Sequence, residues 1–155
     1  MNRPEFILSQ LLIKKGKTIA VAESCTGGLL ADLLTNIPGS SHYFLLGIVT
    51  YSNQAKTALL RIPAKIIKRY GAVSCPVAQL MAQNVKKIAS SDYGIGITGI
   101  AGPLGGTPAK PTGTVFISVS KGNKLITKKF NFTGNRLVVK RKTALKALSM
   151  LKKTL

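Results

Sequence analysis

The chain has 155 residues, 45% of them hydrophobic, and its 23 lysines and arginines against four acids give a formal charge of +19. Such a chain suits one compact domain, residues 1–155, closing its core without disulfides or metal; no stretch reaches the roughly 20 apolar residues of a membrane helix, and Phe6 to Ile13 is too short and polar for export, so a soluble, cytoplasmic protein without a membrane partner is expected. Cys25 and Cys75 lie far apart and His42 is the only histidine, which excludes a disulfide framework, a zinc or other metal site, and histidine triads unless His42 itself folds onto a nucleophile.

Asn2-Arg3-Pro4-Glu5 reads as a capped helix start, Ile7, Leu8, Leu11 and Leu12 recur at helical spacing, and Gly16 ends the helix. Thr18 to Ala22 suits a buried strand, and Thr26 to Asn36 the helix after it, closed by the turn Pro38-Gly39-Ser40-Ser41. Ile48 to Tyr51 reads as a second strand, Asn53 to Leu60 as a helix, and Pro63 as the start of another. Ser74 or Cys75 can cap a helix with Pro76 in its first turn and a stripe of Val77, Leu80, Met81, Val85 and Ile88. Strands follow at Tyr93 to Thr98, Thr114 to Ser120 and Leu125 to Phe132, the last two joined by a Gly122-Asn123 hairpin turn. A last helix from Arg136 to Leu155 places Leu137, Ala144, Leu148, Leu151 and Leu155 on one face. Strands alternating with helices before a closing hairpin predict a single three-layer α/β/α sandwich on a mixed, mostly parallel sheet.

In open α/β sheets, sites form at the carboxyl ends of strands. Three segments there carry chemistry: Glu23-Ser24-Cys25-Thr26-Gly27-Gly28, Tyr51-Ser52-Asn53-Gln54-Ala55-Lys56, and the loop from Thr98 to Thr107. Ser24 falls on a strand-to-helix turn whose free amides can hold a phosphate or a developing oxyanion; the competing role is a helix N-cap. Lys56 sits one turn into a helix, and a partly buried lysine can lose its proton and activate a serine where no histidine is present; the competing role is a solvated helix lysine. Tyr51 could relay or orient that proton. The glycine-rich loop can bring backbone amides to phosphate or ribose, or serve only as a tight crossover. Gly94-Ile95-Gly96-Ile97-Thr98-Gly99 matches G-x-G-x-x-G, but two of its glycines lie inside a strand and Pro103 stands where a helix should begin, so a dinucleotide fingerprint is rejected.

The net charge must attract anions. Its residues are spread along the chain, and no basic run is interleaved with aromatics as a single-strand binding groove requires, so a solvated lysine-rich surface is preferred over a nucleic-acid partner.

Together the three segments resemble the CinA C-terminal family, whose pattern runs A-E-S-C-T-G-G, Y-S-N-x-x-K and T-G-I-A-G-P followed by G-T. Here these are Ala22 to Gly28, Tyr51 to Lys56, and Thr98 to Pro103 followed by Gly105-Gly106-Thr107, Lys110-Pro111 and Gly113-Thr114-Val115. Pro38-Gly39-Ser40-Ser41 and Gly71-Ala72-Val73-Ser74 match as well, so the resemblance covers nearly the whole chain. It implies a three-layer sandwich and, for active members, a cofactor-free amidase that hydrolyses nicotinamide mononucleotide to nicotinate mononucleotide and ammonia in pyridine nucleotide recycling.

By matching position the resemblance makes Ser24 the nucleophile, Lys56 its base and Tyr51 a supporting hydroxyl close to both. Thr26, Gly27 and Gly28 supply amides for the oxyanion, while Asn53, Thr98, Gly99, Gly102, Gly105 and Gly106 hold the mononucleotide. Arg136 is the candidate for its phosphate, since a guanidinium grips phosphate oxygens in pairs. Cys25 is assigned to packing. The resemblance also implies the stand-alone form of a domain that longer relatives carry behind a further one, and association into homo-oligomers.

Two positions depart from the family pattern: Asn135 stands where aspartate is usual, and Leu104 where glycine is common, a leucine being strained there if the backbone needs positive φ. A catalytically silent mononucleotide-binding protein is the second reading and a basic nucleic-acid-associated factor the third. The joint presence of Ser24, Tyr51 and Lys56 favours catalysis.

Overall fold

The computed structural model describes residues 3–155. Helix α1 (Pro4–Lys15) has its proline in the first turn and ends at Gly16, whose φ of 58° takes the chain left-handed. Asn2, the expected cap, lies outside the described residues; the N-cap position is Arg3, which makes no side-chain cap bond. Strand β1 (Ile19–Glu23) is buried throughout. After it come α2 (Leu29–Thr35), a 3₁₀ turn at Ser40–His42, β2 (Phe44–Val49), α3 (Asn53–Leu60), α4 (Ala64–Tyr70), α5 (Cys75–Ala89), β3 (Tyr93–Gly99), β4 (Thr114–Lys121), β5 (Lys124–Asn131) and α6 (Arg136–Lys152).

The strands form one sheet in the order β2-β1-β3-β4-β5. β1 pairs in parallel with β2 and β3, whereas β4 runs antiparallel to β3 and to β5, so four of the five strands share one direction. The sheet is mixed, as expected, with two parallel and two antiparallel pairings. Residues alternate between its faces. Ile19 and Val21 of β1 join Leu8 and Leu12 of α1, Leu30 and Leu34 of α2, and Val139, Leu148 and Leu151 of α6 in one core. Ala20 and Ala22 join Leu60, Ile62, Ile67, Val77, Met81 and Val85 in a second core under α3, α4 and α5. These are the three layers of the sandwich.

Gly94 and Gly96 of β3 lie against α5, and a Cβ on either would overlap backbone of that helix, at Ala82 and Ala78 respectively. The G-x-G pattern is therefore a close helix–sheet contact, consistent with rejecting it as a cofactor loop.

Four elements differ from their sequence-based expectations. β2 occupies Phe44–Val49 rather than Ile48 to Tyr51, because the apolar run from Phe44 pairs with β1 and the chain leaves the sheet at Thr50. α2 begins at Leu29 rather than Thr26, since consecutive left-handed glycines, Gly27 at φ 61° and Gly28 at 98°, cannot lie in a helix. On α5 the small Ala78 and Ala82 face the glycines of β3, leaving Leu80 half-buried and Ile88 49% exposed. On α6 the buried stripe starts at Val139, and Leu137, two residues earlier and so on the opposite side, is 73% exposed. Among the described residues no helix is long and apolar enough to cross a membrane.

Candidate active site

β1, β2 and β3 run in parallel, so their carboxyl ends open on one edge of the sheet and bring the three segments together. Between them lies a cleft of about 260 Å³ lined by Ser24, Tyr51, Asn53, Lys56, Thr98, Gly99, Gly102, Gly105 and Arg136, with Cys25 and Leu104 also on its wall. Thr26, Gly27, Gly28 and Gly106 do not line it.

Ser24 follows directly on β1 and is 8% exposed. Ser52 caps α3 by accepting a hydrogen bond from the Ala55 amide at 3.0 Å, which sets Lys56 in the first turns with its side chain sweeping back toward the helix start. Its Nζ lies 3.0 Å from Ser24 Oγ, donates to the Thr50 carbonyl at 2.8 Å, and reaches the Tyr51 carbonyl at 3.4 Å. Lys56 is 1% exposed. Burial holds its amine below the ordinary lysine pKa, because the charged form loses its hydration and no carboxylate among the described residues pairs with it, while the neighbouring Cys25 opposes this more weakly.

Cys25 is the other nucleophile within reach. Burial pushes its thiol up to about 12, against a lowering by its own backbone, so it stays neutral near pH 7.

The Ser24 turn is shaped by Glu23, a residue without an assigned role at the level of sequence. Its buried carboxylate accepts hydrogen bonds from the amides of Gly28 (3.1 Å), Leu30 (3.1 Å) and Ala31 (2.8 Å). It thus occupies the anion site that the start of α2 would otherwise present. The signal was an acid closing a strand one turn ahead of a helix. As a consequence the Gly28 amide is already committed, and the Gly27 amide bonds the Ser24 carbonyl at 3.1 Å. Neither serves an oxyanion as expected. The Thr26 hydroxyl is fully buried behind the turn, without a partner among the described residues.

The Tyr51 hydroxyl likewise differs from expectation. Tyr51 is 59% exposed, and its hydroxyl accepts from Arg136 Nη2 at 2.8 Å, while Arg136 Nη1 donates to the Gly102 carbonyl at 2.8 Å. Lys56 meets only the backbone carbonyl of Tyr51, because the turn into α3 throws the ring outward to the cleft rim. Arg136 reaches the rim from the first turn of α6 and ties the Tyr51 side of the cleft to the glycine-rich loop.

Within that loop Gly102 has a φ of 87° and Gly105 of 91°. A Cβ on Gly106 would lie 2.7 Å from the Thr112 amide, so this glycine serves packing inside the loop. Thr98 donates its hydroxyl to the Ala72 carbonyl at 2.8 Å and fastens the Gly71–Ser74 segment to the end of β3. Leu104 is 86% exposed and has no positive φ, so the strain foreseen there is absent. Asn135 caps α6, its side chain accepting from the Val138 amide at 3.0 Å; amide and carboxylate do this equally well. No group of three His, Cys, Asp or Glu side chains able to hold a metal occurs among the described residues.

Fold and site define an α/β sandwich that holds a buried serine–lysine pair at the carboxyl ends of parallel strands. The profile of the CinA C-terminal domain matches residues 2–155. The chain is 49% identical over 152 residues to a CinA-like protein of Syntrophus aciditrophicus (strain SB), which covers 97% of this chain and 36% of that protein. It is 45% identical over 154 residues to a CinA-like protein of Thermotoga maritima, with 99% and 38% covered. It thus spans little more than a third of the length of these curated relatives. Among solved structures, the competence damage-inducible protein A (ComA) of Klebsiella pneumoniae superposes with a TM-score of 0.93 at 32% identity, covering 98% of this chain and 96% of that one. A competence-damaged protein (CinA) superfamily protein of Escherichia coli gives 0.94 at 35%, covering 98% and 88%. The chain belongs to the CinA C-terminal domain family.

Proposed function

We propose that the chain is a cytoplasmic amidohydrolase that converts nicotinamide mononucleotide and water to nicotinate mononucleotide and ammonia in pyridine nucleotide recycling. The observation that carries this is the 3.0 Å approach to the Ser24 hydroxyl of a buried lysine amine that no carboxylate among the described residues pairs with. A lysine whose pKa burial lowers gives up its proton more readily than a solvated one, which is what a serine needs where no histidine is at hand.

In the first half-reaction the Lys56 amine takes the Ser24 proton as Oγ attacks the carboxamide carbon. The tetrahedral oxyanion collapses, the C–N bond breaks, and the Lys56 ammonium returns the proton to the departing ammonia. In the second half, water attacks the resulting ester, Lys56 accepts its proton, and Ser24 regains it as the carboxylate leaves. With the Gly27 and Gly28 amides committed, the oxyanion falls to the amides of Cys25 and Thr26, which none of the turn's hydrogen bonds uses. The nucleotide lies along Asn53, Thr98, Gly99, Gly102 and Gly105, with Arg136 exchanging its neutral acceptors for the phosphate. No cofactor enters the scheme.

Ammonia release from nicotinamide mononucleotide is the direct test, run with the native chain and with Ser24→Ala and Lys56→Ala variants of verified fold. Activity in the native chain and loss in both variants is expected. A native chain that binds the mononucleotide without releasing ammonia is instead a silent binder, and this reading falls.

A further inference from the structure

A second cavity opens on the α1, α2 and α6 side of the sheet, and it shares no lining residue with the serine–lysine cleft. Its volume is about 590 Å³, more than twice the 260 Å³ of that cleft and inside the range of roughly 300–1,000 Å³ that small-molecule sites occupy. α6 contributes Leu137, Arg141 and Leu145, which recur at every fourth residue and so share one face of the helix, with Lys140 on its flank. α2 contributes Leu29 and Leu33 at the same spacing. The leucines of the two helices line a trough about 12 Å long, the rise of eight residues along α6 at about 1.5 Å each. Leu29, Leu33 and Leu145 are half-buried against the first core, and Leu137, 73% exposed, forms the outer lip.

Charge is gathered on the same walls. Arg3, Lys140 and Arg141 line the cavity against one acid, Glu5, which leaves two positive charges in excess. Glu5 is 5% exposed and already meets Arg3 Nε at 3.4 Å. Asp32, the acid of α2, accepts from the Asn36 amide and does not line the cavity. No carboxylate among the described residues pairs with Lys140 or Arg141.

We propose that this trough binds a small amphipathic anion, a carboxylate on an unbranched aliphatic chain, with its tail between the leucines of α2 and α6 and its head on Lys140 and Arg141. Each half of such a ligand answers one half of the wall. The chain takes the leucine side chains out of water, and the carboxylate supplies the acid that the two cations lack. A bare anion leaves the leucines wet, a neutral lipid leaves the cations unpaired, and a nucleic-acid backbone has no aliphatic chain to lay in the trough. The site stands apart from the proposed activity. Its occupant lies beside the Ser24–Gly28 turn without entering the cleft, since Leu29 follows Gly28 directly and Lys140 Nζ lies 3.5 Å from where a Cβ on Gly27 would be.

Isothermal titration calorimetry of the full chain tests this with decanoate, whose extended tail is close to the length of the trough, held below the concentration at which it forms micelles. Saturable binding at one site per chain is expected. Decanol has the tail without the charge and acetate the charge without the tail, and each is expected to show a Kd about tenfold higher or more. Arg141→Glu and Leu137→Asp alter exposed side chains, so the circular dichroism spectrum and Tm stay native, while each raises the decanoate Kd by about tenfold or more. Lys65→Glu reverses one exposed charge on α4, away from the cavity, and is expected to leave that Kd unchanged, which separates a built site from the general pull of a +19 chain on anions. No saturable binding, a Kd that decanol or acetate matches, binding that survives both cavity variants, or an equal loss in Lys65→Glu overturns the assignment.

Discussion

Lys56→Met keeps roughly the length and volume of the side chain and removes the amine, which separates the chemical role of Lys56 from its structural one. In the native chain the amine is within hydrogen-bond reach of the Ser24 hydroxyl and the Thr50 and Tyr51 carbonyls, at 1% exposure. Burial lowers its pKa below the unfolded value of 10.5. Between the lowered folded value and 10.5 the unfolded chain binds more protons, so native stability rises with pH across that window and the cost of burying the charge is fully present below it. Each unit of depression corresponds to about 1.4 kcal/mol.

Methionine has no proton to lose, so the stability of the native chain relative to the variant is expected to climb as pH rises from neutral toward 10. At neutral pH the variant leaves the Thr50 carbonyl unpaired, costing about 1–3 kcal/mol, and escapes the desolvation of the ammonium, so the two offset each other in part. Turnover is expected to fall by about 10²- to 10⁴-fold at every pH. Urea unfolding followed by circular dichroism at stepped pH gives the first quantity and ammonia release the second. A stability gap that does not move with pH would refute the claim that the lysine is buried with a depressed pKa. A variant with near-native turnover would refute its role as base.

Tyr51→Phe removes the acceptor of Arg136 and leaves the carbonyl that Lys56 touches; steady-state kinetics should show a raised KM with kcat nearly unchanged, and a kcat loss on the scale of Lys56→Met would return the hydroxyl to the proton path. Cys25→Ala should keep its turnover, since the thiol is neutral with a pKa of about 12, and lose about 1 kcal/mol of stability on denaturant unfolding; inactivity in a folded variant would make Cys25 the nucleophile. Gly94→Ala places a methyl group into the Ala82 carbonyl and should lower stability by about 1–3 kcal/mol in thermal unfolding. An unchanged midpoint would mean that α5 does not pack on β3 as closely as described.

Much of the architecture was legible because local rules decided it. Gly16 stops α1, Ser52 caps α3 over its full expected span, and alternation along β4 marks its faces. Where local signals competed, packing chose. Phe44 to Leu46 could open a strand or end a turn, and pairing with β1 made it strand. Leu137 has the composition of a core residue, yet the angle of α6 on the sheet turns it to solvent. Glu23 was visible as an acid ahead of a helix, but its grip on three amides depends on how Gly27 and Gly28 turn the chain. Tyr51 lines the cleft but its hydroxyl meets Arg136 and not the serine–lysine pair, since sequence reports that a residue follows a strand and leaves the direction of its ring open.

The sequence by itself determined the sandwich, the three segments at the strand ends and the residue types that meet there, because caps, glycine stops and alternation depend on neighbours a few positions away. Tertiary structure alone decided that Lys56 is sealed from water with its amine 3.0 Å from a hydroxyl 32 residues earlier. Parallel pairing of β1 with β2 sets that distance, and the second core under α3 excludes the solvent that would otherwise favour the charged form of the lysine.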